Sequence, residues 1–154
     1  MDLDDLISME QIRQLRYTYS WCYDSGDLDG LVAVFTPDAV CGFGPYGTWT
    51  GHDEIREGFR ESFEATGVPG TTMHAVTNPV IRVDSDHATG KWFLIDLILG
   101  PGEQNPLRIV AYYDDDYRRE AGQWRIARSD IRFIWTADTG RVLPDEPMEK
   151  LSGT

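Results

Sequence analysis

The chain predicts an α+β fold in which three N-terminal helices cover one face of a strongly curved, mostly antiparallel sheet. Apolar residues recur at intervals of three and four in the first part of the chain, and long β-type runs fill the stretch from Met73 to Thr136. The runs are separated by turn compositions suited to hairpins, which makes the sheet a meander. Helices first and strands after is the α+β order, not the alternation of a parallel sheet.

From Ile7 to Tyr23 the side chains Ile12, Leu15, Tyr19 and Cys22 form the stripe of an amphipathic helix. Ser8 with Gln11 offers a capping box at its start, and Gly26 ends it. Asp27 can cap a second, short helix carrying Leu28, Leu31, Val32 and Phe35, which Pro37 stops. Ala39 to Phe43 reads as a short strand, followed by a Gly-Pro-Tyr-Gly turn and a bend at Thr50-Gly51. Asp53 starts a third helix with Ile55, Phe59 and Phe63 on one side, and Gly67 to Gly70 form the loop that leaves it. Strands are then expected over Met73 to Val83, His87 to Leu99, Leu107 to Tyr117 and Gln123 to Thr136. Asp84-Ser85-Asp86, Gly100-Pro101-Gly102 and Ala121-Gly122 supply the turns between them.

With 154 residues and no internal repeat or linker, the chain is expected to be a single domain over 1–140. The remaining tail, 141–154, carries Pro144 and Pro147 and can cover the mouth of the domain or reach a neighbouring subunit. The 12% aromatic content favours an aromatic-lined interior. A net charge of −12 sets up a field that repels phosphate backbones and anionic lipids, so neither nucleic acid nor membrane is an expected partner. No stretch approaches the roughly 18 apolar residues of a membrane span, and the acidic N-terminus lacks the basic flank of a secretion signal. A cytoplasmic protein is expected, with Cys22 and Cys41 as reduced core thiols rather than a disulfide.

Chemistry points to a separated pair, Asp24 and His74. Each sits at the boundary of an apolar element, where a carboxylate and an imidazole can meet in a pocket. A carboxylate that binds one ring nitrogen fixes the tautomer and makes the other a better proton acceptor. Asp24 also falls at a helix C-terminus, where the dipole disfavours negative charge by roughly 0.3–1 kcal/mol, and a cationic partner would offset this. The plainer readings are a turn-capping Asp24 and a core His74 satisfied by a carbonyl.

Tyr19 and Tyr23 lie four apart on one helix face, so both can reach the pocket; Tyr23 is assigned a functional role and Tyr19 a packing one. Arg128, Asp130 and Arg132 share one face of the last strand, either as a solvated ion-pair ladder or with Arg132 reaching inward to an anionic oxygen. Strand alternation splits Asp114-Asp115-Asp116 between two faces, which argues against a metal cage and for a solvated strand end. No metal is expected. His52 and His87 read as surface residues. The chain has no nucleotide-binding glycine motif and no nucleophile elbow, so a cofactor-free mechanism is the simplest account.

These residues resemble the nuclear transport factor 2-like superfamily of cone-shaped α+β barrels, in its SnoaL-like polyketide-cyclase branch. The resemblance rests on Tyr23-Asp24-Ser25 followed by Asp27 and Leu31, on Phe35-x-x-Asp38-Ala39, and on Thr72-x-His74. Tyr117-Arg118-Arg119 before Gly122-Gln123-Trp124, and Asp130-Ile131-Arg132, extend it to the last strand. Within the branch the chain is similar to scytalone dehydratase and to hexachlorocyclohexane dehydrochlorinase. The resemblance implies an Asp24–His74 catalytic dyad with His74 as base, and a pocket position for Tyr23. It departs from the dehydratase at Phe43, which stands in place of a second active-site tyrosine, and at Tyr113, which replaces a pocket asparagine. A second histidine is also missing from the strand between Lys91 and Leu99.

The reading is a cofactor-independent lyase or isomerase for a hydrophobic cyclic molecule, with His74, Asp24, Tyr23 and Arg132 as catalytic groups. Tyr19, Phe43, Trp92 and Tyr113 are the expected substrate-binding residues. Two other classes stay open: a non-catalytic binding or assembly module with its pocket filled by Phe43, Trp21 or Trp92, and the small subunit of a ring-hydroxylating oxygenase. The resemblance further implies a homo-oligomer, trimer or dimer.

Overall fold

The computed structural model describes residues 1–141 together with 148, 150 and 151. The expected covering role of the tail, with Pro144 and Pro147, lies outside the described residues.

Helix α1 (Leu3–Ser25) begins earlier than the stripe alone suggests, because Asp2 and Asp5 build the cap. The Asp5 amide donates to the Asp2 carboxylate at 2.9 Å and the Asp2 amide donates back to Asp5 at 3.0 Å. Two carboxylates therefore satisfy the orphan donors at the positive end of the dipole. Ser8, expected as the cap, lies inside the helix and is buried. The C-terminus closes as read: Gly26 is left-handed (φ 73°), its amide donates to Tyr23 O (3.0 Å), and the Asp27 amide donates to Cys22 O (2.9 Å).

The Gly30 amide donates to Asp27 Oδ1 at 2.9 Å, so Asp27 caps α2 (Leu28–Ala33) as expected. Pro37 does not stop this helix. It lies inside strand β1 (Phe35–Gly42), in the bulge between Phe35 and Val40 where the ladder to the neighbouring strand is interrupted. A residue without an N–H is tolerated there. A single 3₁₀ turn (Gly44–Tyr46) and the short β2 (Thr48–Thr50) follow, and α3 (Gly51–Thr66) starts two residues before Asp53.

The second half is a meander of β3 (Thr72–Asp84), β4 (His87–Ile98), β5 (Leu107–Glu120) and β6 (Gln123–Thr136), with β7 (Gly140–Arg141) added to β6. The strand order is β2-β1-β6-β5-β4-β3, antiparallel except where β1 runs parallel to β6. The curved sheet wraps α1, which lies along β3 and crosses β6, while α3 packs on β1. This is the expected α+β architecture.

Aromatic rings dominate the interior: Tyr19 meets Phe35, Phe59 and Tyr113 edge-to-face at centroid separations of 5.9–6.0 Å. Cys22 and Cys41 are free and buried. Among the described residues no helix is long and apolar enough to cross a membrane.

Candidate active site

Three donors converge on the Asp24 carboxylate at the end of α1. The Thr72 hydroxyl donates to Oδ1 at 2.9 Å, the His74 amide to Oδ2 at 2.8 Å, and His74 Nδ1 lies 2.7 Å from Oδ1. The donors come from β3, whose edge position beside α1 brings Thr72 and His74 to the helix terminus. An ionised carboxylate only accepts, so the Asp24–Nδ1 contact puts a proton on Nδ1, and in the neutral imidazole the lone pair is then on Nε2. The sequence-distant pair is thus one hydrogen-bonded unit, and the turn-capping and core-histidine readings do not describe it.

His74 faces a cavity of about 270 Å³ between the sheet and helices α1 and α3, while Asp24 sits behind the ring. Phe43, Trp49, Phe59, Leu94, Ile109 and Ile131 give the cavity its apolar wall. Tyr19, Tyr23, Tyr46 and Tyr113 contribute phenols. Its charged lining consists of Asp96 and Glu61, with neither lysine nor arginine among the described residues. Such a wall favours an uncharged, mostly hydrophobic ligand and disfavours anions.

Tyr23 packs its ring on the imidazole, with centroids 4.3 Å apart, and its hydroxyl is engaged with Ser62 of α3. Burial pushes the Tyr23 phenol up, so it stays protonated. Tyr19 lines the cavity but is held on three sides by other rings, the packing role assigned to it. Phe43 and Tyr113 also line the cavity.

Two expected site residues are elsewhere. Arg132 is exposed, because the inward parity of β6 belongs to Ile131 and Phe133; the adjacent Arg128 pairs with Asp130 at 2.5 Å, the solvated ladder of the alternative reading. Trp92 has the inward parity of β4 but lies too deep, fully buried beneath α1, where its Nε1–H donates to the Tyr117 hydroxyl at 2.9 Å. It packs the core and does not line the cavity. His87 is exposed, whereas His52 is half-buried with Nε2 3.1 Å from Phe35 O.

Sequence reasoning missed two groups. Asp96 of β4 pairs in register with His74 of β3, and its Oδ1 lies 3.8 Å from His74 Nε2. Its signal was one carboxylate at the inward parity of an otherwise apolar strand, after Trp92 and Leu94. The other is Asp115, which is fully buried rather than part of a solvated strand end. It lies 3.6 Å from Arg16 Nε and accepts from the Tyr117 hydroxyl at 2.7 Å. The Arg16 guanidinium stacks on Tyr113 (3.4 Å to the centroid) and Tyr19 (4.2 Å), directly behind the cavity wall. No cluster of metal-binding side chains occurs among the described residues.

The profile of the SnoaL-like domain matches residues 4–130. An uncharacterized protein of Mycobacterium tuberculosis is 31% identical over 120 residues, which span 77% of this chain and 80% of that protein. Among solved structures, a hexachlorocyclohexane dehydrochlorinase from Novosphingobium barchaimii is similar with a TM-score of 0.76 and 24% identity, over 94% of this chain and 100% of the other. A provisionally named scytalone dehydratase from Novosphingobium aromaticivorans gives 0.75 and 22%, over 94% and 97%. At these identities the two structures speak for the fold alone. The profile match and the mycobacterial relative carry the assignment: the chain belongs to the SnoaL-like domain family of the nuclear transport factor 2-like superfamily.

Proposed function

We propose that this protein is a lyase or isomerase that removes a carbon-bound proton from a hydrophobic cyclic molecule with a His74–Asp24 dyad. The observation that carries the reading is the 2.7 Å contact from Asp24 Oδ1 to His74 Nδ1, with the opposite ring nitrogen turned toward the cavity. Nε2 accepts the proton and Asp24 stabilises the imidazolium that forms. The Thr72 hydroxyl and the His74 amide hold the carboxylate in place, so the base is oriented before substrate arrives. This chemistry asks for no cofactor. The family, together with similar structures named as a dehydratase and a dehydrochlorinase, supports the elimination class. Against the binding-module alternative, Trp21 is 78% exposed, Trp92 is in the core, and Phe43 lines the cavity without filling it.

The test is proton exchange at the acidic C–H of a bicyclic ketone such as tetralone, followed by NMR in deuterated water. Wild type should accelerate exchange, and His74→Ala should abolish the acceleration. Equal binding of the ketone by both proteins, with exchange in neither above the buffer rate, would leave the non-catalytic module in front.

A further inference from the structure

We propose that Asp96 is the general acid of this site, protonating a departing hydroxyl while His74 takes the carbon-bound proton, so that the substrate is a β-hydroxy carbonyl compound and the reaction a dehydration. The inference rests on the dyad reading above and narrows it to one leaving group.

Geometry supports it first. His74 and Asp96 stand opposite each other on neighbouring strands, and both side chains leave the same face into the cavity. Asp96 Oδ1 is buried and accepts no hydrogen bond, although it lies 3.8 Å from Nε2. With Nδ1–H committed to Asp24, the neutral imidazole that a base requires presents its Nε2 lone pair toward this oxygen, and a second carboxylate stands behind the ring. An ionised Asp96 would face a lone pair and a like charge without a donor; a neutral carboxyl faces neither penalty. The other groups around it are Arg108 of β5, which favours ionisation but is paired with Glu103, and the Tyr23, Tyr46 and Tyr113 phenols. Burial, and then the Asp24 charge, push Asp96 up against the pull of His74 and Arg108.

The step balances. Nε2 bonds the proton on the carbon beside the carbonyl, and that C–H electron pair becomes the new C=C bond. The C–O bond on the next carbon breaks, and its oxygen keeps the pair and takes the Asp96 proton, leaving as water. Imidazolium and carboxylate then stand side by side, and transfer of the proton from Nε2 to Asp96 restores the resting pair. A halide leaves without a proton, so it has no use for this acid.

Two probes separate the roles. Ring opening of a nitrobenzisoxazole needs a base and expels a stable phenoxide, whereas dehydration of the aldol adduct of benzaldehyde and acetone needs a base and an acid. Asp96→Asn should slow dehydration relative to ring opening by about 100-fold or more, the scale of a general acid. Asp96→Glu, which keeps a carboxyl, should retain more dehydration than Asp96→Asn. The infrared spectrum of wild type at neutral pH should contain a protonated-carboxyl band that Asp96→Asn lacks. Equal slowing of both probes, absence of the band, or a wild type that opens the isoxazole but leaves the adduct intact would each overturn the acid role. A wild type that turns over neither probe refutes the dyad reading, and the acid role with it.

Discussion

Replacing Asp24 by Asn probes the dyad without removing atoms from the site. The carboxylate accepts from three donors, two at Oδ1 and one at Oδ2. An amide can offer its single oxygen to only one of those two positions. With the oxygen at the Oδ1 position, the NH₂ group meets the His74 amide, and a part-buried donor pair is left facing each other. With the oxygen at the other position, NH₂ meets Nδ1 and forces the imidazole proton onto Nε2, which abolishes the base. An orphaned donor costs about 1–3 kcal/mol and the wrong tautomer costs far more in rate; loss of general-base catalysis is worth roughly 10²–10⁴-fold. The assay is the exchange rate of the ketone C–H in deuterated water, read beside the ring ¹⁵N shifts of His74 in both proteins. Asp24→Asn should lose at least about 100-fold in rate. A variant that exchanges within threefold of wild type, with Nδ1 still protonated, would refute the assignment of Asp24 as the group that sets the base.

Arg16→Met should destabilise the fold by roughly 3–5 kcal/mol, because Asp115 is then a fully buried carboxylate with no cation. Adding Asp115→Asn should recover most of that loss, read as the shift in urea midpoint at unchanged slope. Asp96→Asn should raise the melting temperature at neutral pH, since it removes a carboxyl that burial opposes charging. The sign follows from its raised folded-state pKa: such a carboxyl favours the fold below its ordinary unfolded value and loses that contribution as pH rises through the folded value. The gap in melting temperature between variant and wild type should therefore widen from acidic to neutral pH, and a wild type that stays the more stable at neutral pH contradicts the assigned desolvation.

Helix C-termini and hairpin turns were legible because they are local chemistry. Gly26 has one left-handed role to play, and Asp84-Ser85-Asp86 and Ala121-Gly122 have the composition that a tight strand connection requires. Helix starts were less legible because several residues compete to cap. Asp2 with Asp5 won over Ser8, since nothing in the stripe of α1 says that the helix cannot begin one turn before Ile7. Pro37 misled for a related reason: a proline signals a missing N–H, but whether it stops a helix or fills a bulge depends on the strand pairing that it meets in space.

Depth along a strand was also unreadable, and most of the site depends on it. Parity places Trp92 and Asp96 on one face of β4, yet only their distance from the narrow end separates a core indole from a cavity carboxylate. The same holds for Arg16 and Tyr19 on α1, three residues apart on the inward stripe, one beneath the cavity wall and one in it. In a period-based reading the buried charges look like errors in the pattern. Their placement argues otherwise: Asp115 lies beside a cation and accepts from a phenol, whereas Asp96 Oδ1 accepts no hydrogen bond and lies 3.8 Å from His74 Nε2. Asp115 and Asp96 thus differ in surroundings, one sealed in the core and the other on the cavity wall. Asp115 lies behind the wall of aromatic rings beside Arg16, out of reach of any ligand, whereas Asp96 lines the cavity, which is the position that the proposed acid role needs.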